Sequence, residues 1–269
     1  MSDPRLASAF AAARADDRAL LVGYLPAGFP SVDGCVAAFE ELAAAGVDVF
    51  EVGLPYSDPL MDGPVIQRAV QRALDAHVGT RDVLRTVERV VASTGVPTLV
   101  MSYWNPIDHY GAATFARDLA AAGGVGAITP DLLPEEAGDW MAAVDEHRLD
   151  PVFLVAPSST DERLRVVGRT SRGFVYDAST MGVTGARDAV SDRAAELVAR
   201  VRAATELPVA VGLGVSTGGQ AAEVAAYADG VIVGSALVRA LLDAPDEDTG
   251  RKALGELARD LVAGTRTSR

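Results

Sequence analysis

The sequence predicts an α/β fold, a single (β/α)8 barrel of the TIM-barrel class with an N-terminal helix and extended loops after strands two and six. Short β-branched runs alternate with Ala-rich segments of helical period along the whole chain. No linker or low-complexity segment interrupts this alternation. Eight such units in a chain of 269 residues fit one barrel, and a doubly wound open sheet is the alternative.

The predicted elements follow one another in a regular order. The strands cover residues 20–25, 47–53, 98–103, 125–130, 152–156, 173–178, 209–214 and 230–234. The helices between them include residues 32–45, 80–93, 112–122, 134–146, 191–204 and 218–226. We expect one domain over residues 1–269, with an amphipathic helix over residues 1–17 and a C-terminal helical segment over residues 243–269.

Composition limits the kind of partner. The chain has 24 basic and 37 acidic residues, a net charge of -13, which repels nucleic acids and anionic membranes. A phosphate ligand must therefore be held by local groups. Cys35 is the only cysteine, which excludes an internal disulfide and fits a reducing cytoplasm. His77, His109 and His147 have no ligand-like spacing, so no metal site is predicted.

The segment over residues 50–64 carries the strongest chemical signal. It begins as an apolar strand that contains Glu51 and continues as a turn-rich loop with further carboxylates, among them Asp62. Alternation places Val47 and Val49 on the same face as Glu51, so a Glu51 that points into the barrel mouth is ringed by apolar side chains. Burial raises the pKa of a carboxylic acid, which suits a group that exchanges protons near neutrality. A structural ion pair is the alternative.

Asp62 and Tyr176 are the other candidates for acid–base chemistry. Asp62 lies in a loop and is expected to stay an anion, so the two carboxylates have separate environments and roles. Tyr176 alternates with Phe174, and the residues alone favour a place in the core. The loop after strand six, residues 179–187, has the glycines of a mobile lid, although a plain long loop is the alternative.

Glycines end the last two strands where each runs into a helix. Gly212, Gly214, Gly234 and Ser235 stand at these points, where backbone N–H groups and helix N-termini bind phosphate without a basic side chain. Tight turns are the alternative.

Lys252 is the only lysine and lies beyond the last strand, so neither a Schiff base nor a covalent anchor for pyridoxal phosphate is available.

The segment from Glu51 to Pro64 resembles the signature of the tryptophan synthase alpha subunit family. The likeness runs in order from about Leu20 to Leu242 and includes Gly23 and residues 26–30, 103–106, 128–136, 182–185, 212–216 and 234–235. It implies retro-aldol cleavage of indole-3-glycerol phosphate to indole and D-glyceraldehyde 3-phosphate, a lyase reaction of tryptophan biosynthesis.

The resemblance also implies residue roles. Glu51 matches the acid–base catalyst, Asp62 the carboxylate that accepts the indole N–H, and Tyr176 a tyrosine beside the reacting side chain, which replaces the core interpretation. Thr184 matches a lid residue that contacts the Asp62 loop. The residues that match the phosphate-binding cradle are Gly182, Gly185, Gly214, Gly234 and Ser235.

A partner follows from the same resemblance. The family works in the cytoplasm as an alpha2beta2 heterotetramer with a beta subunit that carries pyridoxal phosphate, so no cofactor is expected in this chain. The positions that match the interface are Asp58, Pro59, Asn105 and Pro106. Two positions depart from the family pattern: Phe29, where an Asp often precedes the proline, and Thr180, where an Arg is common.

Three alternatives stay open. One is another phosphate-binding barrel, such as an isomerase or synthase of tryptophan or histidine biosynthesis, and the spacing of Glu51 and Asp62 argues against it. A second is a non-catalytic regulatory partner of the beta subunit, which the intact acid–base residues argue against. The third is a stand-alone lyase that releases indole.

Overall fold

Parallel strands form one nearly closed sheet in the computed structural model, which describes residues 3–179 and 187–266, without side chains for residues 187–192. Within these residues the sheet has nine strands: β1 Leu20–Pro26, β2 Val49–Gly53, β3 Thr98–Met101, β4 Gly126–Ile128, β5 Asp150–Val152, β6 Leu154–Val155, β7 Val175–Asp177, β8 Val209–Gly212 and β9 Gly230–Val233. Their order in the sheet is β5-β4-β3-β2-β1-β9-β8-β7-β6.

The predicted barrel is confirmed, with its fifth strand split in two. Strand β5 pairs with β4, and β6 pairs with β7. Only Phe153 separates β5 from β6, so the two ends of the sheet are joined through one residue. The open doubly wound alternative is therefore wrong.

Helices surround the barrel. They are α1 Pro4–Ala15, α2 Val32–Ala45, α3 Pro64–Asp75, α4 Thr80–Thr94, α5 Trp104–Tyr110, α6 Ala112–Ala121, α7 Gly138–His147, α8 Asp161–Thr170, α9 Arg187–Ala204, α10 Gly218–Ala225, α11 Ser235–Leu242 and α12 Glu247–Thr265. The predicted helix over residues 134–146 is wrong at its start: a 3-10 turn, Pro134–Glu136, is followed by a break at Ala137 before α7 begins. None of the helices among the described residues is long and apolar enough to cross a membrane.

The strands separate two apolar layers. Val49 belongs to the cluster inside the barrel, whereas Phe50 and Val52 belong to the layer between the sheet and the helices. This alternation aims Glu51 into the barrel. The predicted place of Val47 beside Glu51 is wrong, because Val47 precedes β2 and lies in the outer layer.

Helix α1 covers the amino-terminal end of the barrel. Its buried residues Leu6, Phe10 and Ala13 belong to the cluster inside the barrel. The ring centroid of Phe10 lies 5.6 Å from that of Phe174, which directly precedes β7. Because this end is filled by apolar side chains, the carboxyl ends of the strands are the open face of the barrel.

The α1 contact generates a stability prediction. Leu6 is 0% exposed and Leu60 is 83% exposed. We expect Leu6→Ala to lower the free energy of unfolding by about 2–5 kcal/mol, because it leaves a cavity against the barrel. The matched change Leu60→Ala is expected to stay within about 0.5 kcal/mol of the wild type. Chemical denaturation measures both, and a loss below about 1 kcal/mol for Leu6→Ala contradicts this packing role.

Candidate active site

Glu51 is a buried carboxylic acid near the carboxyl end of β2. It is 1% exposed and stands in register with Tyr24 on β1 and Leu99 on β3. Its Oε1 atom is buried and has no hydrogen-bond partner in the described part of the chain. Desolvation raises the pKa of Glu51 to about 8. Since no described basic side chain forms an ion pair with it, the structure gives the ion-pair alternative no support.

Asp62 lies in the loop between β2 and α3 and is half-buried. The hydroxyl of Tyr103 lies 3.2 Å from Asp62 Oδ1 and donates a hydrogen bond to it. Burial raises the pKa of Asp62, and the hydrogen bond from Tyr103 opposes this shift. The two carboxylates have different environments: Glu51 Oε1 is buried without a hydrogen-bond partner, whereas Asp62 has a donor that favours its ionised form. That Asp62 stays an anion remains a prediction.

Tyr24 lies near both carboxylates, and sequence reasoning missed it. Burial and then the nearby charges of Asp62 and Glu51 raise the pKa of Tyr24 well above its usual value. A Cβ atom at Gly53 would lie 2.3 Å from the Tyr24 hydroxyl oxygen, and one at Gly234 would lie 3.1 Å from its ring. These glycines leave the space that the ring occupies between two neighbouring strands. A tyrosine at an inward position of β1, beside glycines that end β2 and follow β9, is the signal that would have found it.

Tyr176 stands on β7 with its side chain toward the interior of the barrel. It packs against the inner apolar cluster and is half-buried. Burial and then the charge of Glu51 raise the pKa of Tyr176 well above its usual value. A Cβ atom at Gly212 on β8 would lie 2.8 Å from the Tyr176 hydroxyl oxygen. Tyr176 is therefore close to Glu51 and lies at the mouth of the barrel.

The structure brings part of the predicted phosphate cradle together. Gly214, Ser216, Ser235 and Arg239 line one cavity of about 600 Å³. Ser235 is the first residue of α11, and Gly234 caps that helix without a side-chain hydrogen bond. The N-terminal N–H groups of α11 are thus free of a side-chain cap from Gly234 and suit an anion. The predicted cradle and lid residues Gly182, Thr184 and Gly185 lie outside the described residues, as does Thr180.

The predicted interface residues lie around the open face of the barrel. Asp58 and Asn105 are exposed, and Pro59 and Pro106 are half-buried. They come from the segments that follow β2 and β3. Sequence reasoning missed the exposed apolar side chains in and near these segments, which are Leu60 at 83%, Met61 at 52% and Leu133 at 46% exposure. Such apolar residues in turn-rich loops are the signal that would have found them. 

Phe29 and Asp177 are buried but face the outer apolar layer rather than the inside of the barrel. Phe29, a departure from the family pattern, is 0% exposed and belongs to the outer apolar layer. Asp177 at the end of β7 is also buried, and desolvation raises its pKa to about 7. It accepts a hydrogen bond of 2.6 Å from Ser179. Its register partners Val155 and Val211 belong to the outer layer, so Asp177 faces away from Glu51.

The described residues contain no group of three or more histidine, cysteine, aspartate or glutamate side chains placed to hold a metal ion. The arrangement at the barrel mouth supplies a protonated carboxyl group near neutrality, a second carboxylate with a hydrogen-bond donor, two phenols and a helix N-terminus. These groups suit proton transfer on a ligand that carries a phosphate.

Comparison with known proteins gives one family. The model of the family "Tryptophan synthase alpha chain" matches residues 10–265. The tryptophan synthase alpha chain of Salinispora tropica is 59% identical over 263 residues, which cover 98% of both chains. That of Mycobacterium marinum is 58% identical over 262 residues, covering 97% of this chain and 95% of the relative.

Solved structures agree with the sequence relatives. Tryptophan synthase from Mycobacterium tuberculosis in its aminoacrylate-bound form has a chain with a TM-score of 0.89 and 52% identity, covering 98% of this chain and 100% of that chain. The alpha subunit from Legionella pneumophila has a TM-score of 0.89 and 33% identity, covering 97% of this chain and 98% of that chain. The chain therefore belongs to the tryptophan synthase alpha chain family.

Proposed function

We propose that this chain cleaves indole-3-glycerol phosphate to indole and D-glyceraldehyde 3-phosphate, with Glu51 and Asp62 as its catalytic carboxylates. The observation that carries the proposal is the Glu51 carboxyl group, which is 1% exposed and whose pKa is raised to about 8. Such a group is protonated at neutral pH and has a pKa matched to proton exchange. Its position near the carboxyl end of a barrel strand is where enzymes of this fold hold their catalytic groups.

The reaction needs one proton donor that becomes a base. Protonated Glu51 gives its proton to C3 of the indole ring, which forms an indoleninium cation. Asp62 accepts a hydrogen bond from the ring N–H and stabilises this cation. The Glu51 carboxylate then takes the proton of the side-chain hydroxyl next to C3. The bond between that carbon and C3 breaks, its electrons return to the ring, and the carbon leaves as an aldehyde.

The ring itself is the electron sink in this mechanism, so no Schiff base is required. Lys252, the only lysine, lies in α12, beyond the last strand of the chain. Tyr176 and Tyr24 lie close enough to Glu51 for its charge to raise their pKa values, so both phenols stay protonated and can donate hydrogen bonds beside the reacting side chain. We assign Tyr176 an accessory role there.

The phosphate group is bound by backbone groups in this proposal. The cavity lined by Gly214 and Ser235 at the start of α11 supports it, because helix N-termini attract anions. This local site matters because the chain has a net charge of -13 and repels a phosphate elsewhere. Gly234 completes this side of the cradle. Gly182, Gly185 and the lid residue Thr184 remain proposed members on the basis of the family likeness.

The partner of this chain is a tryptophan synthase beta subunit, in an alpha2beta2 assembly that works in the cytoplasm. The beta subunit carries pyridoxal phosphate and uses the indole to make L-tryptophan, and this chain acts without a cofactor of its own. We place the interface around Asp58, Pro59, Asn105 and Pro106. The exposed side chains of Leu60 and Met61, which follow Pro59 in the same loop, support it, because a partner would cover them.

Replacing Glu51 tests the mechanism. Glu51→Gln keeps the size of the side chain and removes the exchangeable proton, so we expect cleavage to fall at least about 100-fold while binding of a substrate analogue stays near wild type. An indole-release assay and calorimetric titration with the analogue measure the two effects. Activity within a few-fold of wild type contradicts the role of Glu51.

Replacing Gly53 tests the packing of Tyr24 beside the carboxylates. A Cβ atom at residue 53 would overlap the Tyr24 hydroxyl, so Gly53→Ala must displace the phenol. We expect its kcat/KM for cleavage to fall about tenfold or more, since misplaced groups in an active site are costly. Gly138→Ala is the control, because a Cβ atom there meets nothing within 4 Å. Equal activity of the two variants would argue against this arrangement.

The partner is tested by mixing. Addition of a tryptophan synthase beta chain to this chain is expected to speed indole formation until the beta chain is in excess, because binding at the exposed face completes the assembly. Indole release is followed at increasing ratios of the two chains. An isolated chain that is already fully active would instead be a stand-alone lyase.

A further inference from the structure

Tyr103 forms the hydrogen bonds that hold the Asp62 loop at the active site. It follows β3, is 6% exposed, and packs its ring 5.4 Å from the ring of Tyr56. Its hydroxyl oxygen lies 2.8 Å from the backbone N atom of Met61 and 3.2 Å from Asp62 Oδ1. A single buried side chain thus contacts both the backbone and the carboxylate of the loop.

The direction of these two hydrogen bonds is determined by their chemistry. The Met61 N–H can only donate, so the Tyr103 hydroxyl oxygen accepts from it. The single phenol proton then remains to be donated to Asp62 Oδ1. The ionised form of Asp62 accepts this bond more strongly than the neutral form, because hydrogen bonds to charged acceptors are the stronger ones.

The second carboxylate oxygen has a different environment. No described residue donates a hydrogen bond to Asp62 Oδ2, whereas Oδ1 is bound by Tyr103. The Gln67 side chain donates a hydrogen bond of 2.8 Å to the Asp62 carbonyl oxygen, which restrains the backbone rather than the carboxylate. Met61, its neighbour in the chain, is 52% exposed and does not anchor the loop by burial. Tyr103 is therefore the group that restrains the carboxylate itself.

We propose that Tyr103 is a positioning residue for the cleavage reaction: its hydroxyl holds Asp62 Oδ1 and leaves Oδ2 directed at the indole N–H. The inference rests on the proposed function, in which Asp62 stabilises the indoleninium cation. That cation exists only along the reaction path, so a misplaced Asp62 slows the chemical step more than it weakens substrate binding.

Tyr103→Phe tests this role, because it removes the hydroxyl and keeps the ring. We expect kcat to fall about tenfold or more and KM to change less than threefold, as for the loss of one hydrogen bond to a charged group. Tyr110→Phe is the matched control. It also removes a phenol that donates to a carboxylate, at 2.8 Å from Asp118, but between α5 and α6 and away from the strand ends. Its activity is expected to equal that of the wild type.

A double-mutant cycle separates positioning from general destabilisation. The cleavage rate is measured in single-turnover assays with excess enzyme. In the Asp62→Asn background, we expect Tyr103→Phe to lower this rate less than twofold, because Tyr103 acts through the Asp62 carboxylate, which is already changed. A tenfold loss in both backgrounds overturns the inference, as does wild-type kcat for Tyr103→Phe alone. If Tyr103→Phe folds poorly, 3-fluorotyrosine at position 103 is a second variant, since it retains the hydroxyl. We expect its kcat to stay within threefold of the wild type. A tenfold loss of kcat in this variant also overturns the inference.

The assay distinguishes this inference from the proposed function. If the wild-type chain with an excess of beta chain releases no indole from indole-3-glycerol phosphate, the proposed function fails. If the wild type is active and Tyr103→Phe is as fast as Tyr110→Phe, only the role of Tyr103 fails.

Discussion

Desolvation of one carboxyl group is the constraint on which the active site depends. Glu51 occupies an inward position of β2. Val49, two residues earlier, lies on the same face of the strand, and Leu99 on β3 is in register with Glu51. Water that would solvate its charge is excluded by these strands, so the neutral acid is favoured and its pKa rises to about 8. An acid that stays protonated near neutrality can give its proton to carbon and then act as a base. Burial alone therefore raises this pKa, which is the property that the proposed catalytic role of Glu51 requires.

The second carboxylate differs from Glu51 in having a hydrogen-bond donor. Asp62 stands on a loop, where Tyr103 reaches it from the end of β3. Tyr24 lies near both acids, in a space that Gly53 and Gly234 leave open. We propose that the phosphate binds in the cavity at the start of α11, where the helix N-terminus favours an anion. In this proposal an anionic substrate is compatible with an acidic surface.

Periodicity and composition predicted the barrel well because each strand carries its own signal. β-branched runs mark the strands, and the inward direction of Glu51 follows from alternation within β2 alone. Alternation failed at Val47 because that residue precedes the strand, where the chain is not yet in the extended pairing that alternation assumes. The split of the fifth strand at Phe153 and the break at Ala137 depend on local backbone angles that hydrophobic periodicity does not encode.

Sequence patterns alone do not predict the contacts between elements. The bond from Tyr103 to Asp62 joins residues 41 positions apart, and the place of Tyr24 depends on the register of β1 with β2 and β9. Family likeness supplied the roles of Glu51 and Asp62, but it supplied no geometry. Asp177 shows the converse, since it is a buried acid with a raised pKa that faces the outer layer. A shifted pKa becomes informative only when the structure says which cavity the group faces.

The protonation of Glu51 is measured most directly by NMR. A pH titration of the side-chain carboxyl carbons of 13C-labelled glutamate, with Glu51→Gln to assign the signal, reports the ionisation of this one residue. We expect the Glu51 signal to shift with a midpoint near pH 8. A midpoint near 4.5, the ordinary value for this side chain, would contradict the claim that burial keeps Glu51 protonated at neutral pH.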